Sequence, residues 1–236
     1  MEKKISIFGI GIDNLTPKES LKRTITLMKA DRLGRVEVLT MDMLLKTRED
    51  QELKELLDEM DLLLPESGEI LQTAEHPEEA CGQAGRGHSF SQLLLKYMQK
   101  SRQRIFLMAG EEAQRQQSLQ LLSREYRGMN LIGSAVLETS AEAFAEEAVI
   151  NEINGLEIDC ILSLLPSPQQ EDFISRAFNM LNARLWLGVN GALRGREEEK
   201  KTTYRAKTFF LRRRFRYSIE RENHQVQERK NSREEQ

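Results

Sequence analysis

Cysteine is scarce in this sequence, since only Cys81 and Cys160 occur among its 236 residues. Two cysteines cannot form the disulfide framework of a small secreted domain, and Cys160 lies in an apolar run that is typical of a buried strand. His76 and His88 flank Cys81, but these residues lack the number and spacing of a zinc ligand set. The sequence therefore predicts a cytoplasmic protein without a bound metal.

Long apolar runs and common catalytic signatures are also missing. The apolar stretch near the N-terminus is about eight residues long, which is shorter than a secretory signal requires. No stretch approaches the ~18–20 apolar residues that cross a bilayer. No nucleophile elbow, Walker loop or internal repeat is present. We therefore expect a globular chain that neither spans a membrane nor carries a secretory leader.

Charge is distributed unevenly, although the net charge is only −3. Residues 194–236 contain 14 Lys or Arg and 8 Asp or Glu, whereas residues 1–193 contain 21 and 30. Residues 200–217 hold eight basic residues and no acid. An acidic body with a basic C-terminal segment indicates an anionic partner.

Short apolar runs alternate with longer helical patterns along most of the chain. The predicted strands are 4–12, 36–40, 61–65, 104–110, 130–134, 158–165 and 184–192. The predicted helices are 16–29, which a capping box opens, then 42–60, 89–100, 111–126, 140–154 and 168–182. This alternation predicts an α/β fold with a Rossmann-like, mainly parallel sheet and helices on both faces.

The chain divides into three parts by composition. Residues 1–193 form the predicted α/β domain, and residues 194–220 form a basic C-terminal appendage. Residues 221–236 have almost no apolar side chains, so we expect a disordered tail there.

Ligands of parallel α/β sheets bind beyond the carboxyl ends of the strands. The segments at those ends are 9–14, 40–42, 65–68, 109–112, 166–171 and 190–195. Among them, Glu66 could act as a general base if burial or a neighbouring acid raises its pKa. Alternatively, Glu66 and Glu69 could be ordinary acids in the first turn of a helix. The segment GIGIDN at 9–14 has part of a dinucleotide fingerprint but lacks its third glycine, so a close-packed strand is the alternative.

The segment FFLRRRFRY at 209–217 interleaves aromatic and basic residues. This pattern suits nucleic-acid phosphates, a diphosphate substrate or an anionic membrane surface. The alternative is a solvated basic helix that packs Phe209, Phe210 and Leu211 against the body. Because the body is acidic, nucleic acid is not the expected partner.

Five segments resemble the motifs of the WecG/TagA/CpsF glycosyltransferases, family 26, and occur in the same order. They are GIGIDNLTPKESL at 9–21, MDMLLKTREDQELKELLDEMDLLLPES at 41–67, RIFLMAG at 104–110, LLPSPQQE at 164–171 and GVNGA at 188–192. The resemblance implies a metal-independent, inverting enzyme without a cofactor, attached peripherally to the inner face of the cell membrane. It implies transfer of an N-acetylmannosamine-like N-acetylhexosamine from a UDP donor to a lipid-diphosphate-linked acceptor, in teichoic acid or other cell-surface polysaccharide synthesis. It also makes a homo-oligomer plausible.

The resemblance carries over residue by residue. Glu66 takes the place of the family's aspartate, the proposed catalytic base. The positions that would bind substrate are Asn14, Thr40, Pro168, Gln170, Glu171, Gly191, Arg212, Arg213 and Arg214. Gln169 falls between them and is expected at the surface.

Several positions depart from the family pattern. Val38 replaces a threonine, Thr40 an asparagine, Ser67 a glycine and Ser89 an acid, while Glu66 is one methylene longer than aspartate. Replacing several site residues together also fits an alternative function, namely a catalytically weak or inactive homologue that binds UDP-sugar or serves as a scaffold subunit.

Overall fold

The computed structural model describes residues 4–75, 89–139, 143–190, 193 and 202–234, with the backbone alone at 75, 143, 202–208 and 226–234. The strands are β1 Lys4–Ile7, β2 Ile10–Asp13, β3 Gly34–Leu39, β4 Leu62–Pro65, β5 Ile105–Ala109, β6 Leu131–Val136, β7 Ile158–Leu164 and β8 Ala183–Gly188. The helices are α1 Pro17–Leu27, α2 Met41–Lys46, α3 Gln51–Asp58, α4 Gly68–Glu75, α5 Phe90–Lys100, α6 Glu112–Glu125, α7 Ala143–Gly155, α8 Gln169–Ala177 and α9 Thr202–Glu234.

Six strands form one parallel sheet in the order β4-β3-β8-β7-β5-β6. This confirms the predicted α/β fold. The apolar runs of β5 and β7 belong to inner strands, because an inner parallel strand is covered on both faces. All six carboxyl ends lie at one edge of the sheet, and that edge holds most of the predicted site segments.

Each face of the sheet has its own apolar layer. Leu162 of β7 packs with Leu94 of α5 and Leu122 of α6 on one face. Its neighbour Ile161 belongs to the layer that α3, α7, α8 and α9 cover on the other face. Successive side chains of a strand point to opposite faces, so every inner strand contributes to both layers.

The N-terminal segment differs from its prediction. The single strand expected over 4–12 is an antiparallel hairpin, in which β1 pairs with β2. Phe8 and Gly9 form the turn with φ angles of 52° and 86°, and glycine adopts such angles without steric cost. Alternating apolar residues give the same sequence pattern in one strand or in two, which is why the turn was missed.

The helix predicted over 42–60 is divided into α2 and α3. Asp50 begins α3 by accepting a hydrogen bond from the backbone N–H of Leu53 at 2.9 Å. The predicted capping box of α1 is confirmed, since the side chains of Thr16 and Glu19 each accept a hydrogen bond from the other's backbone N–H.

The C-terminal segment forms the long helix α9, whose backbone stays helical to Glu234. The disordered tail expected from residue 221 stays a prediction, beside a backbone that is helical there. Residues 221–234 have few apolar side chains to pack, but they contain no Gly or Pro and many strong helix formers such as Arg, Glu and Gln. No helix in the described part of the chain is long and apolar enough to cross a membrane.

Candidate functional site

The predicted site segments meet along one side of the carboxyl edge. Thr40 follows β3, Glu66 follows β4 and the segment 166–171 follows β7, while Asn190 lies just beyond β8. These four strands are neighbours in the order β4-β3-β8-β7. The sheet therefore brings together segments that are up to about 150 residues apart in the sequence.

Hydrogen bonds tie these segments to one another. The backbone N–H of Glu66 donates to the carbonyl of Leu39 at 2.9 Å. Lys46 Nζ reaches the carbonyl of Ser167 at 3.4 Å, and the backbone N–H of Ser167 donates to Asn190 Oδ1 at 3.3 Å. The loop after β7 is thus connected to both α2 and the segment after β8.

Asn14 lies next to this edge through its neighbour Asp13. The buried Asp13 carboxylate accepts a hydrogen bond from the backbone N–H of Leu63 in β4 at 3.0 Å. Lys4 and Arg23 lie 4.0 and 3.8 Å from the same carboxylate. Asp13 therefore fixes the end of the hairpin against β4, with the half-buried Asn14 directly after it.

The residues Val38, Thr40 and Glu66 form a region that we call the catalytic corner. Glu66 is exposed. The Thr40 hydroxyl accepts a hydrogen bond from the backbone N–H of Met43 at 3.2 Å, so Thr40 acts as the N-cap of α2. Val38 is buried in the apolar layer of α1 and α5. Two of the three departures from the family pattern at this corner therefore have structural roles.

Ser89, another departure from the family pattern, also has a structural role. Its hydroxyl is the N-cap of α5 and accepts the backbone N–H of Gln92 at 3.3 Å.

A second region, the buried acid cluster, consists of Glu37, Gln170, Glu171 and Gly188. The side chains of Glu37, Gln170 and Glu171 are fully buried. Gln170 Nε2 donates to Glu37 Oε1 at 2.6 Å. Glu37 was not predicted as a site residue, because a glutamate in the pattern VEVLT looks like the solvent-facing residue of a half-exposed strand.

Gly188 makes room for this hydrogen bond. It pairs with Glu37 across β3 and β8, and a Cβ atom at position 188 would overlap the Glu37 carboxylate and lie 2.6 Å from Gln170 Nε2. The absence of a side chain at 188 is therefore a steric requirement of the cluster.

Burial controls the protonation of both acids. It raises the pKa of Glu37 well above the ordinary value of 4.5, and the nearby charge of Glu171 raises it further, against the opposing hydrogen bond from Gln170. Burial also raises the pKa of Glu171, and the backbone of Glu171 and the nearby polar groups of Ser167 and Gln170 oppose this shift. The cluster therefore favours neutral, protonated carboxyl groups.

Several polar atoms of this region have no hydrogen-bond partner of good geometry within the described residues. They are Glu37 Oε2, Gln170 Oε1, both carboxylate oxygens of Glu171, and Ser167 Oγ. Folded proteins leave few buried polar atoms unpaired. Such a concentration is typical of a place where a ligand or an ordered water completes the hydrogen bonds.

The remaining predicted residues near α8 have different surroundings. Pro168 is exposed and follows a cis peptide bond. Gln169, expected at the surface, is half-buried, and its Nε2 donates to the carbonyls of Leu137 and Glu138 at 2.9 and 3.1 Å. Gln169 thus fixes the segment after β6. Gly191 lies outside the described residues.

The basic segment of α9 lies close to the catalytic corner through Arg212. Its guanidinium is 2.7 Å from the carboxylate of Glu69, three residues after Glu66. Burial raises the pKa of Glu69, and the charge of Arg212 opposes this shift. Arg213 and Arg214 are exposed. A phosphate-binding role for Arg212 would therefore compete with its ion pair.

A groove also lies at the opposite, amino-terminal edge of the sheet. It is lined in part by Arg32, Arg104 and Arg184. Arg32 is paired with Asp61, and Arg184 with Asp159. Arg104 donates to the carbonyl of Leu156, and the acids Asp31, Glu157 and Asp159 also line the groove. The groove therefore has no excess of positive charge for an anionic ligand, and the carboxyl edge remains the candidate site.

Comparison with known protein families gives a match over most of the chain. The model of the family described as "Glycosyl transferase WecG/TagA/CpsF family" matches residues 5–199. No curated protein matches the chain.

Proposed function

The chain belongs to the WecG/TagA/CpsF family of glycosyl transferases, and we propose that it transfers an N-acetylhexosamine, of the N-acetylmannosamine type, from a UDP donor to a lipid-diphosphate-linked acceptor. The product would enter cell-surface polysaccharide or teichoic acid synthesis. The observation that carries this proposal is the convergence of Thr40, Glu66, Gln170 and Glu171 at neighbouring carboxyl ends of the sheet. In an open α/β sheet this edge is where nucleotide ligands bind.

Glu66 is the proposed catalytic base. The acceptor hydroxyl oxygen forms a bond to C1 of the donor sugar as the bond between C1 and the UDP oxygen breaks, which inverts the configuration at C1. The hydroxyl proton passes to the Glu66 carboxylate, and the electron pair of the broken bond leaves with UDP. An exposed carboxylate at the end of β4 is accessible to an incoming acceptor.

Arginines, rather than a metal, are proposed to stabilise the departing diphosphate. Guanidinium groups bind phosphate oxygens in pairs and carry the required positive charge. Arg213 and Arg214 are exposed on α9, and Arg212 is held beside α4 by Glu69. The position of Arg212 supports a role for α9 beside the departing UDP, whereas Arg213 lies on the side of α9 that faces away from the body.

Helix α9 is also the proposed contact with the membrane. Phe215 and Ile219 are buried against the body, while Phe209, Phe210 and Tyr217 are 60%, 70% and 66% exposed. At 3.6 residues per turn these exposed aromatic rings lie on the side of α9 that faces away from the body, together with Arg213. Aromatic rings suit the headgroup region, and each Lys or Arg near an anionic bilayer contributes about 1 kcal/mol.

The proposal is tested by measuring UDP release by the parent chain and by the variant Glu66→Gln. UDP-N-acetylmannosamine and UDP-N-acetylglucosamine are incubated with the full chain and a lipid-diphosphate acceptor, and released UDP is measured. Glu66→Gln should lower kcat about 10²–10⁴-fold with little change in donor affinity, because only proton transfer is lost. Glu52→Gln, an exposed acid of α3, is the matched control and should behave like the parent chain. The proposal is refuted if no UDP-N-acetylhexosamine is consumed and Glu66→Gln behaves identically.

A binding-only homologue is the second candidate, and the structural roles of Val38 and Thr40 at the catalytic corner favour it. A thermal-shift screen with UDP-sugars separates the two, because a ligand at 100 times its Kd adds about 2.7 kcal/mol to the stability whether or not turnover follows. Stabilisation without UDP release supports the binding-only protein. UDP release that disappears in Glu66→Gln excludes it.

The membrane contact has its own test. The full chain should sediment with anionic phosphatidylglycerol liposomes at low salt, and less at high salt, but not with neutral liposomes. Replacement of Phe209, Phe210 and Tyr217 by Ser should reduce the bound fraction. Retention on DNA instead of liposomes would indicate a nucleic-acid partner and contradict the proposal.

A further inference from the structure

Glu37 is an unusual residue for its position in the fold. It lies on β3 between Val36 and Val38, pairs across the sheet with Gly188, and has no exposed surface. A buried carboxyl group without compensating hydrogen bonds costs several kcal/mol, so stability alone does not favour it over an apolar residue. The contacts of Glu37 therefore point to a role in the site.

Glu37 makes its side-chain hydrogen bond to a single group, the amide of Gln170, within the described part of the chain. The carbonyl oxygen of a carboxyl group accepts hydrogen bonds in either protonation state, and a carboxamide has one donor end and one acceptor end. The contact at 2.6 Å thus sets which end of the Gln170 amide faces β3. The other end, Gln170 Oε1, is then an acceptor whose partner is absent from the described residues.

We propose that Glu37 is a positioning residue for Gln170, holding its carboxamide so that Oε1 accepts a hydrogen bond from the donor substrate. Gly188 keeps open the space that this arrangement needs. This inference rests on the proposed function, in which Gln170 binds the UDP-sugar donor. Glu37 acts through Gln170 and does not itself touch the substrate.

The chemistry of the cluster indicates which part of a ligand it selects. Gln170 Oε1 is an acceptor, and the Glu171 oxygens are acceptors whenever that residue is ionised. An N–H or O–H donor complements them, whereas a phosphate oxygen does not. The N-acetyl N–H and hydroxyls of the sugar, and the ribose hydroxyls, have this chemistry, and the two sources can be separated with UDP and a UDP-sugar.

Trp186 provides a direct measurement of binding. It is the only tryptophan in the sequence, lies two residues before Gly188 in β8, and stacks on Phe173 of α8 with ring centres 5.6 Å apart. Because β8 and α8 both contribute to the cluster, binding of the UDP-sugar should change the fluorescence of Trp186. UDP and UDP-N-acetylglucosamine are the probes, titrated into the full chain.

Two conservative variants of Glu37 distinguish the effect of side-chain length from the effect of an ionisable group. Glu37→Gln keeps the length of the side chain and an oxygen that can accept a hydrogen bond from Gln170, but it cannot ionise. Glu37→Asp keeps the carboxyl group but is one methylene too short to reach Gln170. Positioning predicts a Kd for UDP-N-acetylglucosamine within about 3-fold of the parent for Glu37→Gln, and about 10-fold weaker binding for Glu37→Asp, as expected for the loss of one positioned hydrogen bond.

A control variant accounts for simple loss of stability. Val36→Ala removes buried volume from the same strand but on the other face of the sheet, and should lower the thermal unfolding temperature without changing the Kd. If Glu37→Asp weakens the binding of UDP-N-acetylglucosamine but not of UDP, Gln170 contacts the sugar. If it weakens the binding of UDP as well, Gln170 contacts the ribose. Both results support positioning.

Three results overturn the inference. They are a Glu37→Asp affinity within 2-fold of the parent, an affinity loss in Glu37→Gln equal to that in Glu37→Asp, or the same loss in Val36→Ala. If the parent chain binds neither probe, by fluorescence or thermal shift, the proposed function fails together with the inference. If the parent binds and the variants bind equally well, only the inference fails.

Discussion

The buried acid cluster and the catalytic corner share strand β3, but their polar groups have different surroundings. Glu37 points to the face covered by α8 and bonds to Gln170, whereas its neighbour Val38 points to the opposite apolar layer. In the corner, the Thr40 hydroxyl is used to begin a helix. In the cluster, several buried polar atoms have no partner within the described residues. The cluster thus retains capacity to bind a ligand, while the corner depends on a single exposed carboxylate, Glu66.

Gly188→Ala should have the largest effect, because it disrupts the buried acid cluster and leaves the catalytic corner unchanged. The new Cβ overlaps the Glu37 carboxylate, and overpacking of a well-packed interior costs about 1–3 kcal/mol of unfolding free energy. Chemical denaturation of the variant measures this loss. Gly155→Ala is the matched control, because a Cβ there meets no atom within 4 Å.

A second variant checks the cause of that loss. Adding Glu37→Ala to Gly188→Ala removes the overlapped carboxylate and should recover part of the stability. The stability effects of substitutions at residues in contact are not additive. Equal stability of the single and double variants would show that the cost at 188 arises elsewhere.

The dependence of stability on pH should distinguish the cluster from the rest of the protein. Because the pKa of Glu37 is raised in the folded state, the folded chain binds more protons than the unfolded chain above pH 4.5. Stability should therefore fall as pH rises from about 4.5 towards the raised pKa, and then level off. Glu171, whose pKa is also raised, adds to the same slope.

Glu37→Gln should flatten this curve, because glutamine does not titrate. Thermal unfolding at intervals from pH 5 to 9 gives the comparison, with Glu52→Gln as the control. The charge of Glu171 acts on Glu37, and the charge of Asp172 acts in turn on Glu171. Parallel curves for the parent and Glu37→Gln would mean that Glu37 is not the titrating group.

Thr40→Ala tests the structural role of the catalytic corner. Loss of an N-cap hydroxyl costs about 1 kcal/mol of unfolding free energy. Thr40→Ser keeps a capping hydroxyl and should lose less. Urea denaturation of the two variants measures the difference, and equal losses would show that the cap of α2 does not depend on the hydroxyl.

The smallest effect is expected at the ion pair between Glu69 and Arg212. Both side chains are partly exposed, so solvent screening limits the contribution of this pair to at most about 1 kcal/mol. Glu69→Gln should loosen α9 and increase its cleavage by trypsin at low salt, with less difference at high salt. Glu220→Gln removes the pair with Arg216 within α9 and should leave cleavage unchanged. Equal cleavage of Glu69→Gln and the parent would show that this pair does not hold α9.

Most of the fold could be predicted because the signals are local. The apolar runs at 104–110 and 158–165 are too uniform for half-exposed strands, and the helices between strands require parallel crossovers. The hairpin of β1 and β2 could not be separated from one strand, since alternation is the same in both. The order β4-β3-β8-β7-β5-β6 depends on contacts between distant segments, which no local pattern contains.

The candidate site was predicted where a residue type at a strand end was sufficient. Glu66 and Gln170 are proposed as site residues in this way, and their roles stay predictions. Glu37 was missed because its role depends on Gly188 and Gln170, which are more than 130 residues away in the sequence. One signal was available: a glutamate inside an inner parallel strand is buried on either face, so its charge needs an explanation.

The contact between the two ends of the described chain has a practical consequence for dissecting the protein. Phe8 in the hairpin turn packs edge-to-face on Phe215 of α9, and Arg48 donates to Ser218. A shortened chain that stops at residue 193, where the composition changes, would therefore uncover apolar surface and should aggregate. A chain that stops after Glu222 keeps these contacts and removes only the polar end of α9, so it should remain monodisperse in gel filtration.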